Sequence, residues 1–190
     1  MRLSLSEQQQ HEMRYAYYDG APGILVSGLV WIASALVCYL SGIGHAVGTL
    51  LIGGALIYPI SAIATKAMGR PAKTNKANAL NHLGMASTIW LSLCCAMAYK
   101  LFLFEPSLFF PVMMATIGSR YLIFASMYGR SIFWALGVTL IVGGGFAFNA
   151  AIAPAIAAGL GGLIELVFAF LVLLKAGKPA RPPERTRGSS

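Results

Sequence analysis

The chain has 190 residues, 57% of them hydrophobic and 11% charged, with a formal net charge of +8. Soluble domains carry about 25% charged residues, and a water-soluble chain of this length leaves too much surface exposed to hide so much apolar area. The basic residues fall between apolar runs and in the tail, without aromatic interleaving on a polar face. The positive balance therefore reads as membrane-facing, and nucleic acid is excluded as a partner.

Residues 1–20, "MRLSLSEQQQHEMRYAYYDG", lack the apolar core and small-residue cleavage site of a signal peptide, so the first apolar run is expected to stay as a span. This segment is read as an interfacial helix. Ser6 and Gln9 have the spacing of a capping box, Tyr15, Tyr17 and Tyr18 suit headgroup depth, and Asp19 caps the first span or pairs with Arg14.

Six spans follow, at about 22–40, 45–65, 83–104, 107–128, 131–149 and 152–174, each near the roughly 20 residues a bilayer requires. Strands are not expected, because alternation is absent and open sheet edges leave backbone groups unsatisfied in lipid. Residues 21–175 form one transmembrane domain, and 176–190 form a basic, Pro-rich tail expected to be disordered against anionic lipid. The fold class is all-α, a polytopic membrane protein whose six helices are arranged as three hairpins.

Twelve of the fourteen Lys and Arg residues fall in alternate loops and both ends; Lys100 is on the opposite side and Arg120 is inside a span. Because basic residues are retained on the cytoplasmic side, both termini are expected there. The spans also hint at a repeat: "SGLVW", "STIW" and "SIFW" begin the odd ones, and "AMGR", "MYGR" and "KAGK" end the even ones. Parallel repeats of this kind occur in transporters, although Gly followed by a basic residue is also ordinary helix capping.

Arg120 precedes Arg130 by ten residues, and Glu165 precedes Lys175 by ten. Each charge therefore sits roughly 15 Å above the same end of its helix, near mid-membrane, where an unpaired charge is expensive. The expectation is an Arg120–Glu165 pair joining the fourth and sixth spans, with Thr116 and Ser119 on the arginine's polar face. Ala158, Gly161, Gly162 and Ala169 beside Glu165 would admit a neighbouring helix closely. Polar stripes recur at helical spacing: Ser27, Trp31, Ser34 and Cys38 in the first span, and Thr88, Ser92, Cys95 and Tyr99 in the third. If both face inward they line the same interior, with Trp31 and Ser34 as candidate solute contacts. Tyr58 joins them because Pro59 should kink the second span and free a carbonyl beside it.

Other special residues carry less. The "GGG" at 143–145 loosens the fifth span through function or close packing, and Pro154 suits a first helical turn. Cys38, Cys94 and Cys95 read as packing residues, with no redox or metal spacing. His45 and His82 lie near opposite membrane surfaces, so they cannot share a metal. No metal or other cofactor is expected.

The stretches "YYDGAPGILVSGLVW" and "FFPVMMATIGSRYLIFASMYGR" resemble a group of small bacterial integral membrane proteins of uncharacterised function. The resemblance extends over most of the chain. It implies the six-span fold and the bacterial inner membrane, and supplies no activity or site residue.

The expected function is a channel or transporter for a small polar or anionic solute, using Arg120 and Glu165. The alternative is a structural or signalling membrane protein in which the pair staples two helices. An enzyme is not expected, since no phosphate loop, serine elbow, ligand cluster or paired carboxylates appears. Partners are the bilayer, anionic lipid at the basic face, a solute of unknown identity and, through the Gly-rich sixth span, a second copy of the chain.

Overall fold

A computed structural model describes residues 4–176. It is all-helical over these residues: α1 (Leu5–Tyr17), α2 (Ala21–Ser41), α3 (Ile43–Ala67), α4 (Leu80–Phe104), α5 (Phe109–Tyr128), α6 (Ile132–Asn149) and α7 (Pro154–Lys175), with single 3₁₀ turns at Tyr18–Gly20 and Pro106–Leu108. The expected tail lies outside the described residues except for its first, Ala176.

The helices α2 to α7 supply six segments long and apolar enough to cross a membrane. Sequence punctuation sets their ends. Pro22 and Pro154 stand in the first turns of α2 and α7, where the missing N–H has no helical partner to lose. Gly129 closes α5 in the left-handed region at φ 59, which glycine adopts without steric cost. Pro59 lies inside α3, whose helix is continuous across it, and the neighbouring side chains are exposed.

The packing runs α3 to α2 to α7 to α6 to α5 to α4, with α5 also touching α7. Half of the residues of the most apolar stretch of α5 are buried, against 11% for α4. So α5 is central, and α3 and α4 are the outermost members. Large apolar side chains such as Leu36, Ile63, Met97, Val142 and Phe170 point outward, as hydrocarbon permits and water would not.

Glycines set the closest approaches. A Cβ at Gly162 would stand 2.8 Å from the Ile32 side chain, and one at Gly28 would meet Leu166 at 2.9 Å. The small-residue face of α7 therefore receives α2, where contact with the fourth span, α5, had been expected. A Cβ at Gly118 would lie 2.7 Å from the Gly137 carbonyl, and one at Gly144 would lie 2.6 Å from that of Pro111. The central glycine of the "GGG" run thus serves close packing of α6 on α5.

The polar segment α1 lies against one end of the bundle. Ser4, and not Ser6, caps it: the Glu7 N–H donates to Ser4 Oγ (3.3 Å), and Glu7 Oε2 accepts from the Ser4 N–H (2.8 Å). The capping box is real but starts two residues earlier than expected. Asn78 Nδ2 donates to the Gln9 carbonyl, Gln10 Nε2 to the Ser126 carbonyl, and the Ala72 N–H to the Ala16 carbonyl. The 68–79 linker, α1 and the α5–α6 turn are thereby gathered at a single end. Tyr15 and Tyr18 flank the Arg70 guanidinium, 4.5 and 5.0 Å from their ring centroids.

Candidate functional site

The residues singled out by charge and polarity fall into three separate places. The first is the α2–α5–α7 seam. Glu165 is completely buried, and its Oε1 accepts from the Tyr121 hydroxyl at 2.9 Å. Ser27 of α2 adjoins both groups. Glu165 Oε2 has no hydrogen-bond partner in the protein, and neither has Trp31 Nε1. Trp31 lies against Gly161, where a Cβ would come within 3.1 Å of its ring, and its ring centroid is 6.0 Å from that of Phe110. Gly161 is one turn before Glu165, and Trp31 is one turn after Ser27. An unpartnered donor and an unpartnered acceptor thus occupy adjacent turns of one seam. Buried polar groups are nearly always bonded, so each such exception calls for a reason.

The second place is the α4–α5 face. Arg120 Nη2 donates to Thr88 Oγ1 at 3.3 Å, its guanidinium carbon is 5.1 Å from the Phe124 ring centroid, and its Nε is buried without a partner. The expected Arg120–Glu165 ion pair is not formed: among the described residues the only salt bridge joins Arg130 to Asp19. The reason is angular. Neighbouring helical residues point about 100° apart, so when Tyr121 faces α7 and its glutamate, Arg120 must face α4. Depth along the helix is matched; direction around it is not.

The remaining predicted residues disperse. Ser34 donates to the Ala46 carbonyl at 2.7 Å, joining α2 to α3, and Ser119 donates to the Thr116 carbonyl of its own helix at 2.7 Å. Thr116 is half-buried beside it. Tyr58 is 68% exposed on the outer surface of α3, away from the interior. In the first span's stripe Ser27, Trp31 and Ser34 are buried, with Cys38 partly so. In the third span's stripe Thr88, Ser92 and Tyr99 are exposed and only Cys95 is half-buried, so the two do not line one interior.

The third place is the basic end. Asp19 neither caps α2 nor forms a salt bridge with Arg14; its Oδ1 accepts from Arg130 Nε at 3.4 Å. Arg14 Nη1 donates to the Tyr128 carbonyl at 2.7 Å. Burial, and then the neighbouring Arg130 charge, push the Arg14 guanidinium below its ordinary value, with Asp19 opposing them.

Tyr121 is the candidate-site residue that charge counting misses. Its signal was present in the spacing of Met114, Gly118, Tyr121, Ala125 and Tyr128, which recur at intervals of four and three residues and are all buried. That stripe marks the inward face of α5 and leaves Arg120 off it. Among the described residues, no three His, Cys, Asp or Glu side chains group to hold a metal ion.

Six apolar helices, three of which (α2, α5 and α7) enclose a buried carboxyl, define a multi-pass integral membrane protein. The sequence profile described as a family of unknown function, DUF7010, matches residues 6–175, and the chain belongs to that family. No curated protein and no solved structure matches it.

Proposed function

We propose that this protein moves a small polar or anionic solute across a bacterial inner membrane, with its termini and basic end in the cytoplasm. It does so without catalysing a covalent reaction. Arg120 supplies an attracting positive charge on the α4–α5 face. Glu165, held by Tyr121, is the proton-bearing group of the α2–α5–α7 seam.

One observation carries this reading: Trp31 Nε1 and Glu165 Oε2, a donor and an acceptor, are both buried without protein partners on adjacent turns of the same seam. A polar molecule that accepts from the indole and donates to the carboxyl would satisfy both. Intramembrane acids usually mark solute or proton pathways for the same reason, since a buried polar group is costly unless it is used. The outward-facing charge excess at the basic end favours anionic lipid as its surroundings.

The second reading is a structural or signalling membrane protein, with Glu165 and Tyr121 acting as a helix staple. The tight glycine-mediated contact between α2 and α7 favours it, since that seam closes around the carboxyl.

The two readings separate in proteoliposomes carrying an internal pH dye, challenged with small anions and neutral polar solutes. Transport predicts solute-dependent proton movement above protein-free vesicles, lost in Glu165→Gln and Trp31→Phe and weakened in Arg120→Ala. Flux equal to that of empty vesicles for every solute would leave the staple. Flux unchanged in all three variants would remove the roles given to these residues.

A further inference from the structure

We propose that the cleft between Asp19, the start of α6 and the end of α7 binds one phosphate group, that of an anionic lipid headgroup or of a soluble phosphate. The cleft is about 120 Å³ and is bordered by Asp19, Arg130, Ser131, Phe133 and Lys175. That volume is well below the several hundred Å³ of a drug-sized pocket and is the scale of one small polar group.

Its charge is unbalanced. Arg130 and Lys175 face a single carboxylate, and Arg14, already committed to the Tyr128 carbonyl, adds a further positive charge nearby. Asp19 engages only Nε of Arg130, and the arginine side chain remains 47% exposed. The two terminal nitrogens of Arg130, the Lys175 ammonium and the Ser131 hydroxyl have no hydrogen-bond or ion-pair partner among the described residues. Asp19 thus orients the guanidinium by one edge and leaves its outer nitrogens available. A guanidinium fork beside an ammonium and a hydroxyl is a donor set that phosphate oxygens match. The side chain of Trp134, 55% exposed in the first turn of α6, is of the type that seats a helix end at headgroup depth. Phe133 and Val172 form an apolar floor, against which the glycerol end of a lipid would rest.

This site refines the reading that the basic end meets anionic lipid, and it does not depend on Glu165. The test is native mass spectrometry of the detergent-solubilised full chain titrated with phosphatidylglycerol, phosphatidylcholine or inorganic phosphate. Lys175→Gln is the main variant, because the exposed Lys175 ammonium makes no hydrogen bond or ion pair among the described residues. Arg130→Gln is the second variant, and Lys66→Gln, exposed elsewhere on the same end, is the control.

Removing one basic contact should weaken retention of phosphatidylglycerol about five-fold in the first two variants and leave Lys66→Gln unchanged. Millimolar inorganic phosphate that displaces the lipid, or binds wild type and not the variants, identifies soluble phosphate as the occupant. Phosphate without effect identifies the lipid. An equal loss in all three variants would overturn the site while keeping the general attraction of the basic end. No loss in any of them would overturn both.

Discussion

Replacing Tyr121 by Phe removes one hydroxyl and little else. The ring keeps its place beside Phe124 and Phe133, whose centroids are 5.8 and 6.3 Å away. What changes is Glu165: Oε1 loses its donor at 2.9 Å while Oε2 already lacks one. Orphaning a buried polar atom costs about 1–3 kcal/mol, whereas hydrogen bonds between membrane helices average about 0.6 and reach about 1.7 kcal/mol. A loss of about 1–2 kcal/mol is therefore expected. At about 2–4 °C per kcal/mol for a chain of this size, the melting temperature in detergent should fall by about 2–8 °C. Glu165→Met alone orphans the tyrosine hydroxyl. The double variant orphans neither group and should lie closer to wild type than the sum of the singles, by about the value of the bond. Thermal unfolding followed by circular dichroism provides all four corners of the cycle. Single losses that add to within about 0.5 kcal/mol would show that the two side chains do not interact, and would refute the reasoning.

Arg120→Met should be tolerated, or should stabilise the protein in the same melting assay, because no acid is left unpaired by it and a buried unpartnered nitrogen is removed. A fall as large as that of Tyr121→Phe would mean that Arg120 holds the fold through more than its Thr88 contact. Gly118→Val should cost about 1–3 kcal/mol by overpacking, since its Cβ would press on the Gly137 carbonyl; Gly54→Ala, with nothing within 4 Å of the added carbon, should be neutral or stabilising by comparison. At the start of α1, hydrogen bonds from the Ser4 backbone and then its hydroxyl hold the Glu7 carboxyl below its ordinary 4.5. A lowered folded value means that the contribution is present above pH 4.5 and disappears as pH falls through the folded value. Nuclear magnetic resonance shifts of residues 4–8 should report fraying of the first turn in acid, and Ser4→Ala should show that fraying already at neutral pH. An N-terminus insensitive to both would contradict the cap.

Hydrophobic length determined much of this protein's architecture without a structure. Each span needs enough apolar residues to cross hydrocarbon and each backbone group needs an internal bond there, so six helices and their approximate ends follow from local composition. Height along a helix is equally local, which is why Arg120 and Glu165 could be set at one depth from spacing alone. The direction around each helix is not local. It depends on which neighbour a face meets, and in lipid the hydrophobic contrast that orients soluble helices is missing, because the outer surface is as apolar as the core. Small-residue contacts decide it instead: Gly28 and Gly162 bring α2 onto α7, and Gly118 and Gly137 bring α6 onto α5. Those crossings turn Tyr121 to Glu165 and Arg120 to Thr88. At the basic end, the tertiary structure alone brought Asp19 to Arg130 from 111 residues away, since no periodicity links a turn before the first span to one after the fourth.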